Sequence, residues 1–154
     1  MLRCDGAARG NPGPAGVGVL LTTEDGEVLD EIAEGIGVAT NNVAEYTAAL
    51  RGLERAKELG ATEVVLRSDS RLLTEQLAGR FRVKNPALQR LHTDVRSVAS
   101  AFDRVTYEHV RRDRNVEADR LANAGVDAWL KREGASWERP PPRPRLWEAE
   151  EEPR

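Results

Sequence analysis

The stretch Met1 to Gly16, MLRCDGAARGNPGPAG, sets a carboxylate in mid-strand and then interrupts the chain with glycine and proline. A lone charge in a strand is costly to bury unless a cation or hydrogen-bond donors meet it. Asp5 therefore needs partners, and these have to come from elsewhere in the chain. The pattern of elements that follows limits where they can be.

Residues 1–8 read as a first strand and residues 9–15, rich in Gly and Pro, as a turn. Residues 16–24 (GVGVLLTTE) read as a second strand, Asp25-Gly26 as a hairpin turn, and 27–37 as a third strand with Val28, Ile32 and Ile36 among its apolar members. Strands joined this closely make an antiparallel meander. Thr40-Asn41-Asn42 then offers capping side chains to a helix that Gly60 ends. Glu45, Ala49, Gly52 and Ala56 share one face of that helix, so Glu45, in its first turn, lies on or beside a packed surface. Residues 62–68 form a strand whose Val-Val-Leu run suits burial on both faces. Asp69 stands at its carboxyl end, where open α/β sheets place ligands. A short helix from 70 to 78, a basic link from 79 to 85, a helix from Pro86 to about 102, a fifth strand at 104–110 and a last helix at 116–133 complete the folded part. In the last helix Asp119 borders the apolar stripe of Ala118, Ala122 and Val126, and Glu117 points away from it.

The fold class expected is α/β, a five-stranded mixed sheet of three antiparallel and two parallel strands flanked by helices. Residues 1–135 make one domain. From Ser136 the composition changes: residues 137–154 hold five of the eight prolines, four Arg and five Glu. That is a tail without a core pattern, and Trp137 and Trp147 are its candidate docking residues. No apolar run approaches the roughly 20 residues of a membrane span, and no signal-peptide pattern opens the chain. One cysteine, Cys4, fits a reducing, cytoplasmic setting and reads as a small buried residue of the first strand. The net charge of −3 argues against a surface that attracts nucleic acid everywhere, but it permits a local basic patch around Arg80, Arg82, Lys84 and Arg90.

Four segments together, DGAARGNPGPAG, TNNVAEYTAAL, SDSRLL and RNVEADRLAN, resemble type 1 ribonuclease H over about residues 1–130. Each alone says little, but their order on strand, helix, strand end and helix is specific. The resemblance implies the ribonuclease H fold and assigns Asp5, Glu45, Asp69 and Asp119 as metal-binding catalytic carboxylates. It implies two ions, Mg²⁺ or Mn²⁺, which favour carboxylate oxygen. Its activity is endonucleolytic hydrolysis of RNA paired to DNA, leaving 5′-phosphate and 3′-hydroxyl ends. Asn11, Asn41 and Asn42 would face the minor groove of an RNA/DNA hybrid, where amides can read 2′-hydroxyls. Arg80, Arg82 and Lys84 would hold phosphates of the DNA strand. Double-stranded RNA is a further candidate substrate, and a monomer is the default assembly.

The chain departs from many bacterial relatives at two places. The 79–86 link is too short for their basic protrusion, which would weaken hybrid binding or make it depend on the tail. The loop before the last helix, Arg111-Arg112-Asp113-Arg114, lacks their histidine and resembles the archaeal-type and actinobacterial branch. There an arginine takes that place, here assigned to Arg112. His109 reads as structural and His92 as surface. Two other readings compete: a non-catalytic module that binds hybrids or duplex RNA, and a different nuclease of the same superfold. The complete acid quartet opposes the first, since a pure binder gains nothing from acids beside phosphates. The Gly-rich turn and the TNN-x-x-E spacing oppose the second.

Overall fold

The computed structural model describes residues 1–133, and the expectations for the 136–154 tail lie outside them. Five strands and four helices follow one another as β1 (Leu2–Ala8), β2 (Gly13–Thr22), β3 (Val28–Ala39), α1 (Asn41–Glu58), β4 (Glu63–Ser68), α2 (Arg71–Leu77), α3 (Pro86–Ala99), β5 (Arg104–His109) and α4 (Val116–Glu133). A single 3₁₀ turn, Arg112–Arg114, joins β5 to α4. The sheet runs in the order β3-β2-β1-β4-β5. β1, β2 and β3 pair antiparallel, and β4 lies parallel to both β1 and β5. The expected mixed five-stranded sheet is therefore the observed one.

Alternation divides the sheet into two faces. Leu2 and Cys4 of β1, with Val17, Val19 and Leu21 of β2, face α1 and pack on its Ala49, Leu53 and Ala56. Leu66 of β4, Leu73 and Leu77 of α2, Leu88 and Val95 of α3, and Phe102 close this core. α4 crosses the other face over β2 and β3. It lies close because Gly18 carries no side chain: a Cβ there would stand 2.1 Å from the Ala118 carbonyl oxygen.

Four expectations change. β2 starts at Gly13, not 16, because Gly13 and Pro14 pair with Ala39 and Val38 of β3. Pro14 is tolerated there at the end of the β1–β2 ladder, one place past the Ala8–Ala15 pair, where its carbonyl accepts the Arg9 N–H at 2.8 Å. β4 is covered on one face only: Val64, Leu66 and Ser68 are buried, whereas Val65 and Arg67 are half-buried on the side that α4 does not reach. Its apolar run therefore overstated its burial. α3 ends at Ala99, and Phe102 reaches the core from the following turn. His92 is only partly at the surface. It is half-buried, its Nε2 3.1 Å from the Gln76 carbonyl and its ring 6.4 Å from that of Tyr46.

β1 and β4 pair only at Leu2–Leu66 and Arg3–Arg67. Beyond that point the two parallel strands separate, and α1 and α4 approach the gap from opposite faces. The crevice left at the carboxyl ends of β1 and β4 is the switch point at which such sheets place ligands.

Candidate active site

Asp5 sits on β1 at the mouth of this crevice and is 5% exposed. Its neighbour Gly6 faces α1, where a Cβ would stand 2.3 Å from the backbone carbon of Ala44. The missing side chain lets α1 touch the strand. Glu45 is the fifth residue of α1, one place past the first turn, and is likewise 5% exposed. Its Oε1 accepts the Gly6 N–H at 2.5 Å. Thr40 starts the helix by accepting the Val43 N–H at 3.2 Å, and this fixes the phase that turns Glu45 inward.

Asp69 follows β4, with its side chain 12% exposed. Asp5, Glu45 and Asp69 each bring one carboxylate oxygen within 4.8 Å of the others. Asp119, on the first turns of α4, is exposed and lies outside that tight group, yet it is near enough to Asp5 to help raise that carboxyl's pKa. Glu117 turns away and pairs with Arg120 at 3.0 Å. The structure thus brings all four acids to one crevice, three tightly and one at its rim.

The electrostatics follow from burial. Desolvation, then the nearby Asp69 charge, pushes the Asp5 carboxyl up to about 8. Burial, then Asp5 and Asp69, raises Glu45 well above the carboxylate range. Burial also raises Asp69, against the opposing pull of Arg112. Cys4 is buried, and the same acids add to burial in raising its thiol, so it is inert packing as expected. A cluster of acids that holds protons at neutral pH is one that a cation would discharge. Its oxygen-only donor set suits a hard divalent ion.

Arg112 places Nε 3.9 Å from Asp69 Oδ2, with its side chain 91% exposed. His109 ends β5 with Nε2 3.2 Å from the Asp69 carbonyl oxygen, so it contacts backbone and not the acid.

A family model described as reverse transcriptase-like matches residues 3–125. The bifunctional protein Rv2228c of Mycobacterium tuberculosis is 50% identical over 129 residues, 83% of this chain and 35% of that protein. Ribonuclease HI of Halobacterium salinarum is 44% identical over 123 residues, 80% of this chain and 62% of that one. Among solved structures, LC11-RNase H1 in complex with an RNA/DNA hybrid aligns at TM-score 0.80 and 39% identity, over 84% of this chain and 97% of that one. The chain belongs to the ribonuclease H family. It spans about a third to three-fifths of the length of these two curated relatives. Their sources, a mycobacterium and a halophile, match the branch to which the arginine loop pointed.

The residues expected to meet substrate in this ribonuclease H relative divide. Asn11 Oδ1 accepts the Asn41 N–H at 2.9 Å, which ties the Gly-rich turn to the start of α1. Asn11 and Asn41 are exposed and Asn42 is half-buried. Arg80 is held by Glu75 in a two-pronged pair of 2.8 Å bonds, so a phosphate would have to compete for it. Arg82 and Lys84 are exposed. The Arg82 carbonyl accepts a 3.0 Å bond from Gln76, whose Oε1 takes the Tyr46 hydroxyl at 2.5 Å, so the basic link is anchored to the core beside Glu45.

Three features were not legible in the sequence. Gln76, which no pattern in the sequence marks, is buried and holds the link. Phe81, 44% exposed between Arg80 and Arg82, puts an aromatic ring among the basic side chains. An aromatic interleaved with basic residues is a signal that could have been used. Asn115, which no pattern in the sequence singles out, is fully buried.

Proposed function

We propose that this protein hydrolyses the RNA strand of RNA/DNA hybrids endonucleolytically, giving 5′-phosphate and 3′-hydroxyl ends. The observation that carries the reading is the crevice of three acids within 4.8 Å, with Asp119 near Asp5 at its rim, in a chain of the ribonuclease H family. Asp5, Glu45, Asp69 and Asp119 would hold two Mg²⁺ or Mn²⁺ ions. When bound, such ions supply an activated water and charge stabilisation for the leaving oxygen.

The chain's own groups do the rest. Glu45, kept in place by the Gly6 N–H, brings a carboxylate oxygen to the crevice. Asp69 and Arg112 stand at the open side, where a scissile phosphate and the departing oxygen would lie, and the Arg112 guanidinium offsets negative charge there. Asn11 and Asn41, linked to each other, form the edge that would meet 2′-hydroxyls in the minor groove. Arg82 and Lys84 would take phosphates of the DNA strand, and Arg80 would join them by leaving Glu75. Binding therefore rests on few cations. Residues 1–135 would act as the catalytic domain of a monomer in the cytoplasm. Among the described residues no helix is long and apolar enough to cross a membrane.

The test is an end-labelled RNA/DNA hybrid incubated with Mg²⁺ and with Mn²⁺, beside duplex RNA and duplex DNA. The expected result is cutting within the RNA strand of the hybrid with one or both ions. Metal-free binding without any cutting would overturn the reading in favour of a binding module, and preferential cutting of duplex DNA would favour another nuclease chemistry.

A further inference from the structure

We infer that Asn115 is a positioning residue that fixes where Asp119 stands relative to Asp5. This rests on the proposed reading that the four acids hold metal. Asn115 is the last residue before α4 and is fully buried. Its side chain does not serve the helix it precedes. Instead Nδ2 donates to the Cys4 carbonyl at 2.9 Å, across 111 residues of sequence. Cys4 is covalently joined to Asp5, so this bond grips β1 one peptide away from the acid.

The backbone of Asn115 grips the other two pieces of the rim. Its carbonyl accepts the Asp119 N–H at 3.1 Å, and its own N–H donates to the Arg112 carbonyl at 3.0 Å. One residue therefore connects the strand of Asp5, the helix of Asp119 and the turn of Arg112. Gly18, opposite Asp5 in register, lets α4 come down to the sheet, since the Ala118 carbonyl lies over it. That contact sets the height of the helix above the strands. Gly16 and Gly35 bring later turns of α4 as close to the sheet, near Ala122 and Trp129, and the Asn115–Cys4 bond adds a directional tie at the start of the helix, beside Asp5.

The other amide atom strengthens the argument. Among the described residues, Asn115 Oδ1 is the buried side-chain polar atom without a hydrogen-bond partner. Keeping such an oxygen out of water is unfavourable. An apolar side chain would avoid it, so the position is explained by the one bond that Nδ2 makes. Asp119 is exposed and outside the tight group of three acids, so it is the ligand whose place most depends on such a tether.

The test uses the full chain and reads metal binding apart from turnover. Free Mn²⁺ is titrated by electron paramagnetic resonance into the parent protein, Asn115→Ala, Asp119→Ala and the double variant. Circular dichroism and melting establish that each is folded. Asn115→Leu, close in size, replaces Asn115→Ala if the latter does not fold. The expected result is a Mn²⁺ affinity lowered about 10–100-fold by Asn115→Ala, the range found when partners that orient ligands are removed. Where Asp119→Ala is already present, the same change should add less than about threefold, because its effect passes through Asp119. Parent-like Mn²⁺ affinity in Asn115→Ala, or effects that multiply fully in the double variant, would overturn the inference. Hybrid cleavage by the parent protein is measured alongside. Normal Mn²⁺ coupling with no cleavage would defeat the proposed activity and leave the tether standing, and cleavage without coupling would do the reverse.

Discussion

The inner and outer halves of the acid cluster are built differently. Asp5 and Glu45 are each 5% exposed, carried by a strand and a helix pressed together at Gly6. Asp119 and Arg112 are exposed, carried by a helix start and a single 3₁₀ turn. The inner pair is placed by packing that the fold cannot relax, and burial raises both carboxyl groups. The outer pair is placed by a few hydrogen bonds and stays in contact with water. The first half is preorganised, and the second leaves room for a nucleic acid to enter.

The largest expected effect follows from the inner half. Asp5→Asn keeps the shape and removes a charge that the fold holds at a cost. Turnover of a labelled hybrid should drop on the order of 10³-fold or more, because several kcal/mol of transition-state stabilisation depends on the metal site. The metal-free melting temperature at pH 8 should stay level or rise. Asp119→Asn should lose less. Equal losses in the two variants would erase the distinction between the halves.

Next come the two glycines, which address the halves separately. Gly6→Ala sets a methyl group 2.3 Å from the Ala44 backbone carbon and 2.4 Å from the Glu45 nitrogen, atoms that no side-chain rotation can move. α1 must lift, at roughly 3 kcal/mol. A displacement of about 1 Å at Glu45 should lower kcat about 100-fold. Gly18→Ala, with its methyl group 2.1 Å from the Ala118 oxygen, should destabilise similarly but act on Asp119. Chemical denaturation gives the stability, and single-turnover cleavage gives the rate. If Gly6→Ala costs stability yet leaves kcat intact, Glu45 is not held in the way described.

A third effect is the pH dependence of the metal-free protein. Asp5 titrates near 3.8 when unperturbed and at about 8 in the fold. Between these values the native state holds a proton that the unfolded chain has released. Stability therefore falls as pH rises through that window and levels off above it. Glu45, raised in the same direction, adds to the fall. Melting temperature measured from pH 5 to pH 9 with chelator should decline, and saturating Mg²⁺ should flatten the decline by taking the place of the protons. Asp5→Asn should also flatten it. An unchanged slope in that variant would place its origin outside the acid cluster.

How far the sequence revealed each half follows the same division. Asp5, Glu45 and Asp69 announce themselves because a charge on an apolar strand, on the small-residue face of a helix or at a strand's carboxyl end departs from a periodic pattern. Asp119 was separable from Glu117 by helical phase alone. The element order was legible because Asp25-Gly26, Thr40, Gly60 and Pro86 punctuate it with local chemistry. Long-range geometry was not. Val64-Val65-Leu66 reads as doubly covered, yet no local rule says that α4 stops over β1. His92 reads as surface until Tyr46 and Gln76, 46 and 16 residues away, arrive beside it. Asn115 looks like an ordinary cap, and its bond to Cys4 crosses almost the whole domain. Arg80 looks available for phosphate until Glu75 is seen to hold it.

The smallest expected effect tests the most exposed group. Arg112 stands 3.9 Å from Asp69 with 91% of its side chain in water. An ion pair so exposed contributes about 0–1 kcal/mol, so Arg112→Ala should leave the melting temperature nearly unchanged. Its cation nonetheless opposes the rise in the Asp69 carboxyl pKa and faces the side where the leaving oxygen would emerge. Cleavage should slow about tenfold, the rate equivalent of roughly 1.4 kcal/mol of lost transition-state stabilisation. Arg112→Lys should recover most of that loss if charge alone matters, and little if the planar guanidinium must bridge two oxygens. No slowing in Arg112→Ala would mean that the outer half works through Asp119 alone, and that the arginine in this loop serves the turn and not the chemistry.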